Sequence, residues 1–242
     1  MKVDLKTYVE TRDRIRAAQY VPGPVVTISR MFGCEATPLA LMLINRISES
    51  STAPGHHGWQ MISKEILDEA AHELHVSRSK IETVLDAKQV SGFGHMLLSL
   101  NTHYDISDRK VLDTLREVLY VYAVRGKTII IGRGGAYLTR NIRRSLHIKL
   151  QAPLSWRVNK ILNKRNLAHK EALELVRAMD EKRNLWIEHM TGRPASDDSY
   201  DLILNRATMS DEMILETILQ VMKEKHLMEQ HPAESGYVRA TP

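Results

Sequence analysis

Short apolar segments alternate with longer amphipathic segments along most of the chain. The short segments are rich in β-branched residues, which favour strands, and the longer ones repeat apolar residues every three or four positions, which favours helices. Five strands are predicted, one beginning at Val25 and the others at 59–62, 127–131, 146–150 and 200–205. Strands separated by helices predict a three-layer α/β fold with a mainly parallel, five-stranded sheet.

The segments between the predicted strands carry signals for the beginning and the end of helices. Pro38 suits the first turn of a helix, Ser63 and Ser210 are favourable N-caps, and Gly126 is typical of a helix end. The predicted helices are 39–47, 64–74, 77–85, a long helix from Ser107 or Asp108 to Gly126, 153–166, 169–190 and 211–225.

The two ends of the chain depart from this central pattern. Residues 1–20 have an amphipathic helical pattern that ends at the proline-glycine-proline segment 22–24, so they are predicted to form an N-terminal helical arm. Residues 227–242 are predicted to form a disordered tail. The domain between them is expected to span 21–226, which is long enough for one α/β core.

Composition narrows the class of protein. The chain has 26% charged and 43% hydrophobic residues, which is typical of globular proteins, and its single cysteine excludes an intrachain disulfide. No apolar run reaches the ~18 residues of a membrane span, and residues 1–20 lack the apolar core of a signal peptide. We therefore expect a cytoplasmic protein with no membrane partner. The formal charge of +5 favours an anionic partner, although ordinary surface variation explains it equally well.

Cationic side chains follow most of the predicted strands. In parallel α/β sheets the ligand lies beyond the carboxyl ends of the strands, so the residues just after each strand are candidates for a site. The cations in these places are Arg30, Lys64, Arg133, Arg157 and Arg206. Guanidinium groups bind phosphate oxygens in a bidentate way, so the pattern predicts a site for several phosphates. Each arginine alone is also compatible with a solvated turn or a basic helix face.

Several short motifs occur in a fixed order around these cations. Ser29 to Ala36 (SRMFGCEA) follow the first strand, and Gly132 to Gly135 (GRGG) follow the third. Further along come Ala152-Pro153 with Arg157 and Arg165, then Asp180 with Arg183, and the segment 200–205 (YDLILN). Asp180 and Arg183 alone would more simply be a surface ion pair. Together, in this order and spacing, the motifs resemble the cytidylate kinase-like family of P-loop nucleotide kinases over most of the chain.

The resemblance implies a P-loop nucleotide kinase fold with a helical lid and in-line transfer of a phosphoryl group from ATP, with Mg²⁺, to a CMP-like acceptor. The catalytic residues that it implies are Arg133, Arg157, Asp180 and Arg183. The residues implied to bind ATP phosphates are Ser29, Arg30, Gly33 and Thr37. The residues implied to bind the acceptor are Gly132, Arg133, Gly134, Asp180 and Arg183.

The phosphate loop departs from the full pattern of P-loop proteins, G-x-x-x-x-G-K-(S/T), whose lysine binds phosphate and whose hydroxyl binds the metal. At the four defining positions, counted from Arg30, the chain has Arg30, Glu35, Ala36 and Thr37. The two glycines and the lysine are therefore replaced, whereas Thr37 keeps the hydroxyl and Gly33 remains within the loop. The acceptor side therefore matches the family more fully than the donor side.

Two hypotheses from different classes remain open. One is an active nucleotide kinase, and the other is a catalytically impaired nucleotide-binding protein that acts as a sensor or as a protein-interaction module. Nucleic-acid binding through the basic helical segment 153–170 is less favoured, because that segment has no interleaved aromatic residue beyond Trp156. The N-terminal arm is expected to pack either on the domain itself or on a second copy of the chain in a homodimer. No protein metal site is predicted, since His72 and His75 lack further ligands.

Overall fold

The computed structural model of the chain describes residues 23–49, 58–63, 65–75, 77 and 108–229. The predicted arm 1–20, the predicted helix 77–85 beyond its first residue, and residues 230–242 lie outside the described residues. Leu227, the first residue of the predicted tail, is 1% exposed and packs against the core. The compact domain therefore reaches at least this residue, and the other domain boundaries stay predictions.

Five parallel strands form one sheet in the described part of the chain, which confirms the predicted fold class. They are β1 (Val25–Arg30), β2 (Gln60–Ile62), β3 (Thr128–Ile131), β4 (Ser145–Gln151) and β5 (Leu202–Asn205). Their order is β2-β3-β1-β4-β5, with β1 at the centre. Val25 of β1 lies opposite Thr128 on one side and Ser145 on the other. Because all strands run the same way, their C-terminal ends meet at one edge of the sheet.

Helices connect the strands and continue after β5. They are α1 (Thr37–Glu49), α2 (Glu65–Glu73), α3 (Asp108–Arg125), α4 (Gly135–Leu138), α5 (Leu154–Arg165), α6 (His169–Thr191) and α7 (Asp211–Glu224). Ser210 caps α7 as predicted, since its hydroxyl accepts a hydrogen bond from the Met213 N–H. None of the described helices is both long enough and apolar enough to cross a membrane.

The pleat of the sheet sends alternate side chains into two cores. Val25 and Ile130 face a cluster that includes α2 and α3, whereas Val26 and Ile129 face a cluster that includes α1 and α7. All four side chains are fully buried. Both faces of the strands are apolar because helices cover both, which is why the strands read as continuous apolar runs in the sequence.

Helices α5 and α6 pack on each other around a small core of their own. Val158 and Ile161 of α5 contact Ala172 and Val176 of α6 in this third cluster, and Phe32 of the β1–α1 loop packs against it. The pair is the helical lid of the predicted fold. This core is separate from the two cores of the sheet, but α6 also joins the first of them through Met190 and Trp186, and Trp156 of α5 packs against the second.

Two short elements were not predicted from the pattern. Helix α4 has only four residues and follows the glycines after β3, where helix propensity is low. A 3-10 turn at Asp197–Ser199 precedes β5, and Tyr200 forms its C-cap. The strand therefore begins at Leu202 rather than at residue 200.

Candidate functional site

A cavity of about 630 Å³ lies between the β1–α1 loop and the lid helices α5 and α6. The loop, residues 31–36, connects the central strand to the N-terminus of α1. Cationic side chains from β1, α5 and α6 line the cavity: Arg30, Lys160, Lys164, Arg165 and Arg183. Glu35 is the one carboxylate among the described lining residues. Such a lining beside a helix N-terminus favours a ligand with several negative charges.

Gly33 gives the loop its shape. Its φ of +94° lies in the left-handed region, and a Cβ at this position would lie 3.1 Å from the Cβ of Arg157. A larger residue would therefore strain the backbone and press against α5. The neighbouring Cys34 is buried, and burial raises the pKa of its thiol to about 11. Cys34 is consequently a neutral packing residue rather than a nucleophile at neutral pH.

The carboxylate of Asp180 ties the loop to the lid. One of its oxygens accepts a hydrogen bond from the Phe32 N–H at 2.6 Å, and the other accepts one from Nη1 of Arg157 at 2.5 Å. Arg157 also donates to the carbonyl oxygens of Phe32, at 3.1 Å, and Ala152, at 3.0 Å. The Arg157 side chain is only 5% exposed, so it joins the loop to the lid through buried hydrogen bonds. A backbone N–H of the loop is thereby bound to a protein carboxylate.

Arg30 and Arg183 bring positive charge to the floor of the cavity. Nη1 of Arg183 donates to the carbonyl oxygen of Arg30 at 3.1 Å and lies 3.9 Å from Asp180. Burial, together with the positive charges of Arg183 and Arg133, lowers the pKa of Arg30 to about 10. Burial also lowers the pKa of Arg183. A bound anion would relieve both effects, because it would offset the desolvation and the mutual repulsion of these groups.

The turn after β3 supports Arg30 from the other side. Gly132, Arg133 and Gly134 all have φ between +56° and +71°, a left-handed run that glycine adopts readily. A Cβ on Gly132 would lie 2.0 Å from Nη1 of Arg30, so only glycine leaves room for this guanidinium. The Arg133 guanidinium stacks over the ring of Trp186 at 4.8 Å.

Ser29 faces away from the cavity. Its hydroxyl oxygen accepts a hydrogen bond from the Tyr200 hydroxyl at 3.1 Å, and Tyr200 makes an edge-to-face contact with Tyr137. These side chains border a narrow space beside the Gly132–Gly134 turn. Burial raises the pKa of Tyr200, so its phenol remains protonated and donates.

The structure divides the predicted site residues into three groups. Arg30, Gly33, Thr37 and Arg183 line the cavity. Asp180 and Arg157 lie behind the loop, where they bind its backbone. Ser29, Gly132, Arg133 and Gly134 lie on the other side of Arg30, around the turn after β3. Their proposed roles stay predictions.

Two lysines of the cavity were not singled out from the sequence. Lys160 and Lys164 lie four residues apart, on the face of α5 that borders the cavity, and Lys164 forms an ion pair with Glu35. Arg165 was singled out as part of a basic face and of the motif that begins at Ala152-Pro153, but it was not assigned to the site; its guanidinium lies 5.8 Å from the ring centre of Phe32. The spacing of Lys160 and Lys164 was the available signal, since residues four apart share one helix face.

The lining residues offer a metal ion few ligands of their own. Thr37 stands in the place of the metal-binding hydroxyl of a full phosphate loop and is exposed in the cavity. The Glu35 carboxylate is already paired with Lys164, so Mg²⁺ would be held by Thr37 and mainly by the phosphates of a nucleotide. Elsewhere in the described ranges no group of three or more His, Cys, Asp and Glu residues could hold a metal.

A central parallel strand that leads through a loop into a helix, beside a helical lid, defines the fold class of the P-loop nucleotide kinases. Within that class, the chain belongs to the cytidylate kinase-like family, whose family model matches residues 25–208. The resemblance predicted from the motifs is therefore confirmed, and the chain is a nucleotide kinase-like protein.

Matches to individual proteins say less about this chain than the family match does. Uronate isomerase of Corynebacterium glutamicum is 30% identical over 105 residues, which make up 43% of this chain and 20% of that protein. The matched segment thus spans a fifth of the length of this curated relative. An uncharacterized protein from Eubacterium ventriosum has a similar structure, with 14% identity, a TM-score of 0.58, and coverage of 83% of this chain and 98% of that one. This similarity supports the fold alone.

Shikimate kinase from Bacteroides thetaiotaomicron is 12% identical, with coverage of 83% of this chain and 96% of that one. Its TM-score of 0.42 is too low to support an argument.

Proposed function

We propose that the chain binds ATP through its phosphates in the cavity between loop and lid and transfers a phosphoryl group to a CMP-like nucleoside monophosphate. The observation that carries this proposal is the set of five cations around a central P-loop-type strand and helix. In-line phosphoryl transfer needs positioning and charge neutralisation more than covalent chemistry, and guanidinium groups supply both.

The donor side of the reaction is assigned to the cavity lining. Arg30 and Arg183 form its floor, while Lys160, Lys164 and Arg165 of α5 face them from the lid. A polyphosphate between these two sets would be bound from opposite sides. Binding there would draw the lid towards the loop and exclude water from the transferring group.

The acceptor side is assigned to the turn after β3. Arg133 lies in this turn, and it is close enough to Arg30 for their positive charges to interact. Arg183 lies between the two sides and is suited to the phosphate that both substrates share in the transition state. The CMP-like character of the acceptor rests on the family to which the chain belongs.

The first test is calorimetric titration of the purified full-length chain with ATP and, separately, with CMP, followed by a transfer assay over several acceptors. Arg133→Ala should weaken CMP binding about tenfold, or ~1.4 kcal/mol, and leave ATP binding nearly unchanged. Arg143→Ala is a matched control, because Arg143 is exposed and lies outside both sets of site residues. An equal loss of affinity for ATP and CMP in Arg133→Ala would contradict the assignment.

A second candidate function is nucleotide binding without catalysis, as in a sensor or a protein-interaction module. It is favoured by the hydrogen bond from the Phe32 N–H to Asp180, since this N–H belongs to the loop that surrounds phosphates in active kinases. Ala36 in the place of the phosphate-binding lysine points the same way. Micromolar binding of ATP or CMP without turnover of any acceptor would select this function.

A further inference from the structure

A second cavity, of about 350 Å³, shares no lining residue with the cavity between loop and lid. Three parts of the chain surround it: α4 with the residue Arg140 that follows it, strand β4 at His147, and the connection from α6 to β5 at residues 193–201. Its volume is at the small end of the range of ligand sites in proteins, about 300–1,000 Å³. The second cavity therefore suits a ligand smaller than a nucleoside triphosphate.

Hydrogen bonds fix the walls of the second cavity. The Tyr137 hydroxyl of α4 donates to the carbonyl oxygen of Ser196 at 2.8 Å and accepts a hydrogen bond from the Ser196 N–H at 2.7 Å. The carboxylate of Asp201 accepts a hydrogen bond from the His147 N–H at 2.7 Å and lies 3.2 Å from the ammonium group of Lys225. The connection from α6 to β5 is thereby bound to both α4 and β4, so the cavity is preformed.

His147 is the buried residue among those that line the second cavity. It is 7% exposed, and Nδ1 of its ring lies 2.9 Å from the Thr27 hydroxyl. Nε2 of the same ring is buried and has no hydrogen-bond partner among the described residues. Nearly all buried polar atoms in proteins have a partner, so an unpartnered ring nitrogen in the lining of a cavity points to a ligand that supplies one.

Two arginines bring positive charge to the opening of the second cavity. Arg140 and Arg193 are both exposed, and no ion pair joins either of them to another described residue. Each guanidinium can bind two oxygens of an anion at once. A phosphate group offers three oxygens to two such groups, whereas a carboxylate offers only two. The pair of arginines therefore favours a phosphate group.

The rest of the lining suits a hydroxyl-bearing body attached to that phosphate. The Asp198 carboxylate is exposed and accepts a hydrogen bond from the Ser196 hydroxyl at 3.1 Å. A carboxylate disfavours a bare phosphate ion, but its oxygens accept hydrogen bonds from ligand hydroxyl groups. Tyr137 and Tyr200 meet edge to face, with ring centres 6.1 Å apart, and offer apolar surface to carbon atoms.

We propose that the second cavity is a binding site for a small phosphorylated sugar or polyol, with its phosphate group on Arg140 and Arg193 and a hydroxyl group on Nε2 of His147. The site is separate from the proposed function, because none of its lining residues belongs to the proposed donor side or acceptor side. Its ligand and a nucleotide can therefore bind to the chain at the same time.

The test is NMR titration of the full-length chain, with the ring protons of His147 as the local probe. Their resonance is the one missing from the spectrum of His147→Gln, among the signals of 11 histidines. The ligands are ribose 5-phosphate, inorganic phosphate and ribose. We expect ribose 5-phosphate to shift the resonance with a Kd below about 1 mM and to bind about tenfold more tightly than the other two.

Three outcomes would overturn the proposal. If the resonance is unchanged at about 10 mM ribose 5-phosphate, water is a sufficient partner for Nε2. If inorganic phosphate binds as tightly as ribose 5-phosphate, the cavity holds an adventitious ion only. If CMP shifts the resonance as strongly as ribose 5-phosphate does, the cavity belongs to the acceptor side of the proposed function, which would then still stand.

Two variants make the test specific to the arginines. Arg140→Ala and Arg193→Ala should each weaken the binding of ribose 5-phosphate about tenfold, or ~1.4 kcal/mol. Arg143→Ala is the matched control, because Arg143 is equally exposed and lies outside the lining, and it should leave the binding unchanged. All three side chains are at the surface, so the variants should fold. Unchanged binding in both lining variants would contradict the assignment of the phosphate group.

Discussion

Asp180 accepts hydrogen bonds from two segments that are far apart in the sequence, the loop at Phe32 and helix α5 at Arg157. The ion pair is mostly buried, with side-chain exposures of 5% for Arg157 and 21% for Asp180. Its removal from one side leaves a buried guanidinium without its charge partner and a loop N–H without its acceptor. Asp180 therefore stabilises the fold of the site, in addition to the catalytic and acceptor-binding role that the family resemblance implies for it.

We predict that Asp180→Ala lowers the free energy of unfolding by about 3 kcal/mol, because one half of a buried ion pair is removed. The measurement is urea denaturation at neutral pH. Glu181→Ala is the matched control, since Glu181 is the exposed neighbour on the same helix and should change stability by less than about 0.5 kcal/mol. Adding Arg157→Met to Asp180→Ala should restore part of the lost stability. A further loss of stability would contradict the conclusion that Arg157 joins the loop to the lid through its pair with Asp180.

Gly132 offers a second prediction at the residue scale. Gly132→Ala and Gly192→Ala introduce a Cβ at nearly the same left-handed φ, +69° and +70°, but only the first Cβ meets another group, Nη1 of Arg30. Both variants should lose about 1 kcal/mol of stability from backbone strain. Only Gly132→Ala should also lose ATP affinity, about tenfold by calorimetry, since the Arg30 guanidinium must move. Equal ATP affinity in the two variants would argue against a role for Arg30.

At the scale of elements, most of the fold could be predicted because each strand is a buried apolar run and each helix has a clear beginning and end. Ser210 and Gly126 marked helix ends from local sequence alone. Helix α4 could not be predicted, because the packing of the sheet rather than propensity forms it. The contact between Phe32 and Asp180 joins residues 148 positions apart, and no spacing rule reaches that far.

The candidate site could be predicted only in part for a similar reason. The motifs located Arg30, Gly33 and Arg183, because they lie directly after a strand or in a spaced pair. Lys160 and Lys164 look like an ordinary solvated face until α5 packs beside the loop. The packing of the lid core determines which face of a lid helix borders the cavity. The apolar pattern of the helix alone does not predict that face.

The contact between the loop and α5 leads to a prediction for Glu35. Glu35→Gln removes the one carboxylate of the described cavity lining and releases Lys164 from its ion pair. We expect ATP to bind about three- to tenfold more tightly, with a smaller gain at high salt. Calorimetry at two salt concentrations measures this, with the exposed Glu174→Gln of α6 as the control. Weaker binding in Glu35→Gln would mean that the carboxylate contributes directly to the site.

For the whole molecule, the buried histidine of β4 makes stability depend on pH. His147 is 7% exposed, and Nδ1 of its ring lies 2.9 Å from the Thr27 hydroxyl. Burial lowers the pKa of His147 below its ordinary value of 6.5; Asp201 opposes this shift and Lys225 adds to it. The unfolded chain thus gains a proton at a higher pH than the folded chain does. The stability from this group is present above about pH 6.5 and is lost as the pH falls through that value.

We therefore predict that the free energy of unfolding falls between pH 7.5 and 5.5, by about 1 kcal/mol from this group. Urea denaturation at the two pH values measures the difference. His147→Gln should reduce the slope, whereas His169→Gln, at an exposed position on α6, should keep it. An unchanged slope in His147→Gln would assign the pH dependence to other groups.

The central place of β1 also has a consequence for how the chain acquires its structure. β1 lies near the start of the sequence, yet Val25 pairs with Thr128 and Ser145, and β5 joins only at residues 202–205. During synthesis on a ribosome, β1 therefore stays unpaired until its partner strands β3 and β4 have been synthesised. Such long sequence separation slows folding and exposes an apolar strand meanwhile. We therefore expect this protein to aggregate most readily at the start of refolding, while its central strand is still unpaired.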